Sequence, residues 1–208
     1  MRIEFQIEEP SAEAALKRLL PRILQNRAVF GIIDYRNKQR MLRELPKRFQ
    51  GYARRLAHED LRIVVLIDQD ADDCRELKSQ LEDMAMAAGL LTKTKPAADG
   101  RFLVVSRIAI EELEAWFFGD IGALRAAYPR LPATIDQKAA YRNPDRIRGG
   151  TWEALHRELQ KVGHCDKVFP KIEVARTIAR HMEPDANRSR SFKIFRDGIE
   201  ALLAQEAG

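Results

Sequence analysis

Apolar positions along the chain follow two rhythms. Arg2–Ile7 alternates, with Ile3, Phe5 and Ile7 separated by polar residues, the period-two signature of a strand. Ala28–Tyr35 (AVFGIIDY) and Ile63–Ile67 (IVVLI) are short continuous apolar runs. The second is rich in β-branched residues, as in strands buried on both faces of a parallel sheet. Phe102–Ser106 (FLVVS) reads as a further strand. Helical spacing fills the intervals. Pro10 and Ser11 open a helix expected to reach about Asn26, with Ala15, Leu16, Leu19, Leu20, Ile23 and Leu24 on its apolar face. Pro21 predicts a kink or break there. The stretch from Asn37 to Asp60 reads as helix on either side of Pro46, with Met41, Leu42, Leu45 and Phe49 at helical spacing. A third helix is expected from about Asp72 to Ala88, ended by Gly89. Ile108–Asp120 reads as another, with Ile110, Leu113, Trp116 and Phe117 inward and Glu111, Glu112 and Glu114 at its start.

From about Ile121 the strand signals stop. Leu124–Tyr128, Thr151–Val162, Ile172–Met182 and Phe192–Ala204 read as short helices joined by Pro-, Gly- and Asn-rich turns. The fold class is therefore α/β: a parallel sheet flanked by helices over residues 1–120, with a helical C-terminal portion, residues 121–208, packed on it.

Charge sharpens this picture. The chain of 208 residues carries 36 Lys and Arg against 31 Asp and Glu, a formal net charge of +5. That balance suits a polyanionic partner without demanding one. Asn37–Asp60 is the most basic stretch, with Phe49 and Tyr52 among Lys38, Arg40, Arg43, Lys47, Arg48, Arg54 and Arg55. A solvated helix surface explains most of these residues, but the stretch is also the first candidate for phosphate-backbone contact. Two further basic clusters are Tyr141–Gly150 (YRNPDRIRGG) and Asn187–Arg196 (NRSRSFKIFR). Cys74 and Cys165 are far apart and make no metal-spacing motif, which implies a reducing compartment. MRIEFQIEE lacks a signal-peptide pattern, and the longest apolar stretch, Met84–Leu91, is too short to span a membrane, so a cytoplasmic location off the membrane is expected.

The candidate chemistry sits in RIVVLIDQDADDC, Arg62–Cys74. Asp68 and Asp70 follow directly on the buried strand, where ligand sites gather in open α/β sheets. Asp72 or Asp73 can cap the next helix, which explains one or two of the four aspartates. Four carboxylates within Asp68–Asp73 repel one another unless something positive stands among them. An EF-hand loop counted from Asp68 fails, because Asp73 and Ser79 fall where Gly and Glu are needed. A haloacid-dehalogenase pattern matches weakly, with Asp72 at its fifth position, and a sugar-nucleotide transferase stays open. A better arrangement pairs Glu8, after the first strand, with Asp68 and Asp70 after a later one. Neighbouring parallel strands would bring the three together, which implies a hard divalent cation, Mg²⁺ or Mn²⁺.

At this point the residues resemble a known family. A strand ending in Glu followed by a strand ending in Asp-x-Asp looks like the Toprim domain of topoisomerases, primases and OLD-type nucleases. FQIEEPSAEAALKRLLPRIL, RIVVLIDQDADDC, RIAIEELEAWFFGD and NRSRSF together resemble, more closely, a small bacterial Toprim-like family of unknown function often encoded beside an ATPase. The resemblance implies a Toprim-like, Rossmann-like sheet, with Glu8 as the first acid and Asp68 and Asp70 as the metal pair. In the wider family the first Glu precedes Gly; here Glu9 takes that place, leaving Glu8 and Glu9 as alternatives. OLD-type relatives use extra acids for a second metal, which makes Glu112 a further candidate ligand. The implied activity is Mg²⁺- or Mn²⁺-dependent phosphodiester hydrolysis of DNA or RNA, in an antiphage or toxin-like system with a partner ATPase. Lys38, Arg40, Lys47, Arg48, Arg54, Arg55, Arg188, Arg190 and Lys193 would hold the nucleic-acid backbone. The alternatives are an inactive nucleic-acid- or protein-binding subunit and a small-molecule phosphatase or phosphotransferase.

Overall fold

A computed structural model of the chain describes residues 1–165 and 167–207. Four strands form one sheet: β1 (Arg2–Ile7), β2 (Val29–Asp34), β3 (Leu61–Asp68) and β4 (Val104–Ala109). All neighbours run parallel in the order β2-β1-β3-β4. Helices α1 (Pro10–Leu24), α2 (Lys38–Arg55) and α3 (Cys74–Ala87) make the crossovers. Then follow α4 (Glu114–Gly119), α5 (Ile121–Ala127), α6 (Thr151–Lys161), α7 (Lys171–Ala179) and α8 (Arg190–Leu203). No described helix is long and apolar enough to cross a membrane.

The strand alternation sorts residues onto two faces. Ile3, Phe5 and Ile7 of β1, Val64 and Leu66 of β3 and Val105 of β4 join α1, α7 and α8 in the larger core cluster. Ile63, Val65 and Ile67 of β3 face the other way, onto Met41, Leu45 and Phe49 of α2 and Leu77 and Leu81 of α3. β1 gives that second face polar residues instead. Its Gln6 is satisfied by Tyr52, whose hydroxyl accepts from Nε2 at 2.8 Å, and by Tyr35, which donates to Oε1 at 2.8 Å. The helical C-terminal portion shares the larger core with the sheet: α8 lays Phe195 against Phe5, ring centroids 6.3 Å apart.

Several boundaries move. Neither proline breaks its helix: Pro21 lies in the last turn of α1, and Pro46 lies mid-way along α2. In both cases buried side chains on each side, Leu19 to Leu24 and Leu45 to Phe49, hold the helix where propensity alone would end it. Asp73 caps α3, accepting from the Arg75 and Glu76 amides at 2.8 and 3.1 Å, and Gly89 follows its C-cap at φ 76°. The largest shift is at the fourth strand. Residues Arg107, Ile108 and Ala109, expected to lead into a helix, continue β4, and helix begins only at Glu114. Parallel pairing of Ile67 with Ile108 and Asp68 with Ala109 carries the strand forward.

Candidate active site

The crossovers fix where a site can lie. α1 packs on one face of the sheet and α2 and α3 on the other. The chain therefore changes direction between β1 and β3, and the crevice beyond the carboxyl ends of these two strands is the topological switch point. Ile7 pairs with Leu66, so Glu8 and Asp68 emerge side by side there. Glu8 Oε2 accepts a hydrogen bond from the Asp68 amide at 3.2 Å. Asp68 is only 9% exposed. The chain then turns sharply: Gln69 and Asp70 donate their amides to Ala109 and Glu111 carbonyls at 2.9 and 3.0 Å, and Asp70 takes φ 50°. This left-handed residue throws the Asp70 carboxylate outward, leaving it half-exposed.

Two further carboxylates lie near these acids. Glu9 sits beside Glu8, with its carboxylate bonded to the Ser11 hydroxyl. Glu114, at the start of α4, is 1% exposed, and neither carboxylate oxygen has a hydrogen-bond partner among the described residues. The electrostatics follow from burial first and from the neighbouring charges second. Burial, followed by the charges of Glu9, Glu8, Glu114 and Asp70, drives the Asp68 carboxyl well above its ordinary range. Burial pushes Glu8 up to about 7, against the opposing pull of Lys38. Burial likewise pushes Glu114 up to about 8, with Lys171 opposing and Glu9 and Glu112 assisting.

Two lysines flank the acids. Lys38 Nζ reaches Asp70 Oδ2 at 2.6 Å, Asp72 Oδ2 at 2.9 Å and the Gln69 carbonyl at 3.1 Å, which occupies all three ammonium donors. Burial, its largest single influence, pulls this ammonium down, but Asp70 and Asp72 together leave it above its ordinary value. Lys171, at the start of α7, is governed likewise: burial lowers it, and Glu114, Glu9, Glu112 and Asp68 raise it more.

A model of the family described as a domain of unknown function, DUF4276, matches residues 7–200. The chain belongs to this family. No curated protein matches it. Among solved structures it is similar to the C-terminal region of the OLD protein of Xanthomonas campestris pv. campestris, at 15% identity and a TM-score of 0.45, covering 98% of this chain and 96% of that one.

In this DUF4276 chain the residues picked out by sequence divide into three groups. Glu8, Asp68 and Asp70 share the switch-point crevice, and Glu9 joins them. Glu112 stands apart: its Oε2 accepts from the Thr151 amide and hydroxyl, both at 2.8 Å, and from the Trp152 amide at 3.0 Å, so it caps α6. The acid of that segment closest in influence to Asp68 is Glu114. The basic residues form no single surface, because α2 lies on one face of the sheet and α8 on the other. Lys38 belongs to the acidic turn. Lys47 and Arg48 line a groove of about 620 Å³ along α2, with Arg43, Tyr52 and Arg55. Arg40 pairs with Glu44 at 2.9 Å and Arg55 with Glu59 at 2.7 Å; Arg54 is exposed. Arg188 lies 3.7 Å from Asp136, and Arg190 and Lys193 are exposed at the start of α8.

Sequence reasoning passed over Lys171 and placed Lys38 elsewhere. A signal existed for both. Each is the first residue of its helix, where the dipole disfavours a cation, and α2 has no acid in its first turn. The segments NRSRSF and ELEAWFFGD lock together. Asn187 Nδ2 donates to the Trp116 carbonyl at 2.8 Å, and Trp116 Nε1 donates to Ser191 Oγ at 3.0 Å. A Cβ on Gly119 would lie 2.1 Å from Asn187 Oδ1, so only glycine fits there.

The donor set suits a hard divalent cation in kind: it is all oxygen, partly buried, and contains two oxygens of Glu114 with no hydrogen-bond partner among the described residues. In the described residues no three His, Cys, Asp or Glu side chains are grouped to hold a metal ion. The outward Asp70, held by Lys38, accounts for part of that spread.

Proposed function

We propose that the protein is a Toprim-like phosphodiesterase that hydrolyses DNA or RNA with Mg²⁺ or Mn²⁺. The observation that carries this reading is the convergence of Glu8 and Asp68 at the switch point, where burial first and neighbouring acids second hold both carboxyls above their usual range. Repelling acids in a crevice are an arrangement with a functional rather than a stabilising rationale. The Glu-then-Asp-x-Asp order of the Toprim resemblance adds to it. Asp68 and Asp70 would hold the cation, with Glu8 as a further ligand or as the base for the attacking water; Glu114 would be the additional acid for a second ion, a place first expected for Glu112, whose carboxylate instead caps α6. The cation, when bound, polarises a phosphoryl oxygen and acidifies water. Lys38 neutralises the Asp70–Asp72 turn and would exchange that pairing for a role beside a substrate phosphate. The α2 groove supplies Lys47, Arg48 and Arg55 for the backbone, contacts that carry no sequence specificity. On the same reading the chain works in an antiphage or toxin-like setting with a partner ATPase.

A second reading, a binding subunit with an inactive acidic crevice, is favoured by the spread of the carboxylates and the outward Asp70. Labelled DNA and RNA, incubated with Mn²⁺ or with EDTA, separate the two. Turnover that needs the cation and disappears in Asp68→Asn supports the enzyme. Retention of nucleic acid in EDTA without turnover in Mn²⁺, in the presence of the partner ATPase, supports the binder.

A further inference from the structure

A second cavity, of about 450 Å³, opens at the other edge of the sheet, between β4, the start of α3, the turn Pro144–Arg146 and the start of α8. Here the two basic clusters of the sequence, around Arg146 and Arg190, meet Arg75 and Lys78 of α3 and Arg107 of β4. None of these five cations has an ion-pair partner among the described residues. The single carboxylate in the lining, Asp145, is already satisfied: it accepts from the Ser189 and Ser191 hydroxyls, both at 2.8 Å, and from the Arg190 amide at 2.6 Å.

Two lining groups are buried and incompletely partnered. Ser106 is 1% exposed, and its hydroxyl has no hydrogen-bond partner among the described residues. Arg107 is 8% exposed, and it donates only to two carbonyls, Ile194 at 2.9 Å from Nε and Ser106 at 2.8 Å from Nη1. A guanidinium carries five donors, so three remain. The fold makes room for this charge. Gly198 lies inside α8, and a Cβ there would stand 2.8 Å from Arg107 Nε. Glu82 and Asp197 act on Arg107 only from beyond ion-pair distance, and a buried cation with no carboxylate in contact, beside an idle hydroxyl, is costly in an apolar interior. Ile108, Ile110 and Ile194 give the lining an apolar part, beside Asn143 and Ser191. Pockets of this size and balance take small organic ligands.

We propose that this cavity binds a nucleoside monophosphate, its phosphate held by Arg107, Arg146, Arg190 and the Ser106 hydroxyl and its base set against the isoleucines. The phosphate supplies a negative charge in direct contact and accepts from the unused donors, as charge-assisted bonds to guanidinium groups do. The base covers the apolar remainder, which a bare phosphate or a sugar phosphate would leave wet.

Titration calorimetry on the full chain tests this with the four ribonucleoside 5′-monophosphates, their nucleosides, and ribose 5-phosphate. At least one nucleotide should bind with Kd below about 1 mM, and its nucleoside and ribose 5-phosphate should each bind at least roughly tenfold more weakly. Arg146 and Arg190 are exposed, so Arg146→Ala with Arg190→Ala leaves the core intact; that pair should weaken the nucleotide by about tenfold or more. Removing the same charge elsewhere, in Lys17→Ala with Arg18→Ala, should change nothing. The proposal is overturned by no nucleotide binding at about 1 mM, by binding that survives loss of Arg146 and Arg190, or by a nucleoside or ribose 5-phosphate that binds as well as the nucleotide.

Discussion

Glu114→Gln offers a clean test of the electrostatics at the acidic crevice. The side chain is almost wholly buried and its two oxygens have no described partner, so the amide replaces the neutral acid with little change of shape. The folded chain holds the Glu114 proton more tightly than the unfolded chain does, at about 8 against an ordinary 4.5. The sign follows from that difference. The contribution of the acid to stability is fully present below pH 4.5 and is lost as pH rises through about 8, because ionising a buried carboxyl is harder than ionising an exposed one. At ~1.4 kcal/mol per pH unit, the loss between pH 5 and pH 8 is about 3 kcal/mol. Glutamine does not titrate, so the variant should keep what the parent loses. Urea unfolding in EDTA at the two pH values measures it. The gap between variant and parent should widen by roughly 2–4 kcal/mol in favour of the variant on going to pH 8. Parallel pH profiles, or a gap that narrows, would refute the assignment of a strained, proton-holding carboxyl at the start of α4.

Three other perturbations probe separate parts of the account. Lys38→Ala removes the cation that ties Asp70 and Asp72 together, so unfolding in EDTA should come at lower temperature, and Mn²⁺ should restore more stability to the variant than it adds to the parent. Gly198→Ala would gain about 1 kcal/mol from helix propensity, but its Cβ meets Arg107 Nε at 2.8 Å; crowding of ~1–3 kcal/mol should win, and a lower urea midpoint checks it. Asn187→Ala removes the bond to the Trp116 carbonyl and leaves that buried acceptor unpaired, a loss of about 1–3 kcal/mol in the same assay.

Much of the architecture was legible because strands buried on both faces and amphipathic helices have different periods. IVVLI, AVFGII and the alternating RIEFQI each became a strand, and the helices after Ile121 lie close to their expected positions. The ambiguity came where the periods coincide. In VVSRIAIEELEAW an apolar run flows into a helical pattern, and only pairing with β3 decides that Arg107–Ala109 is strand. Tertiary packing likewise overrode the prolines in α1 and α2. The meeting of Glu8 with Asp68 was readable because strand ends are local and parallel pairing is regular. Lys171 was not, since it reaches the crevice by the docking of α7 on α1, a contact between segments some 150 residues apart that no local pattern encodes. The Glu112 cap was hidden for the same reason: its partners, Thr151 and Trp152, belong to a distant helix start.

On the proposed reading the acids at the switch point hold a divalent cation. Thermal unfolding with EDTA or with millimolar Mn²⁺ or Mg²⁺, on the parent, Asp68→Asn and Asp70→Asn, tests it most directly, because a ligand bound only by the folded state raises apparent stability. On this reading the parent gains stability with Mn²⁺ and the variants gain little; in EDTA Asp68→Asn exceeds the parent through relief of repulsion around its buried carboxyl, whereas Asp70→Asn, which loses the Lys38 ion pair, does not. A parent that melts at one temperature with and without the cation, together with an Asp68→Asn variant no more stable than it in EDTA, would contradict that reading.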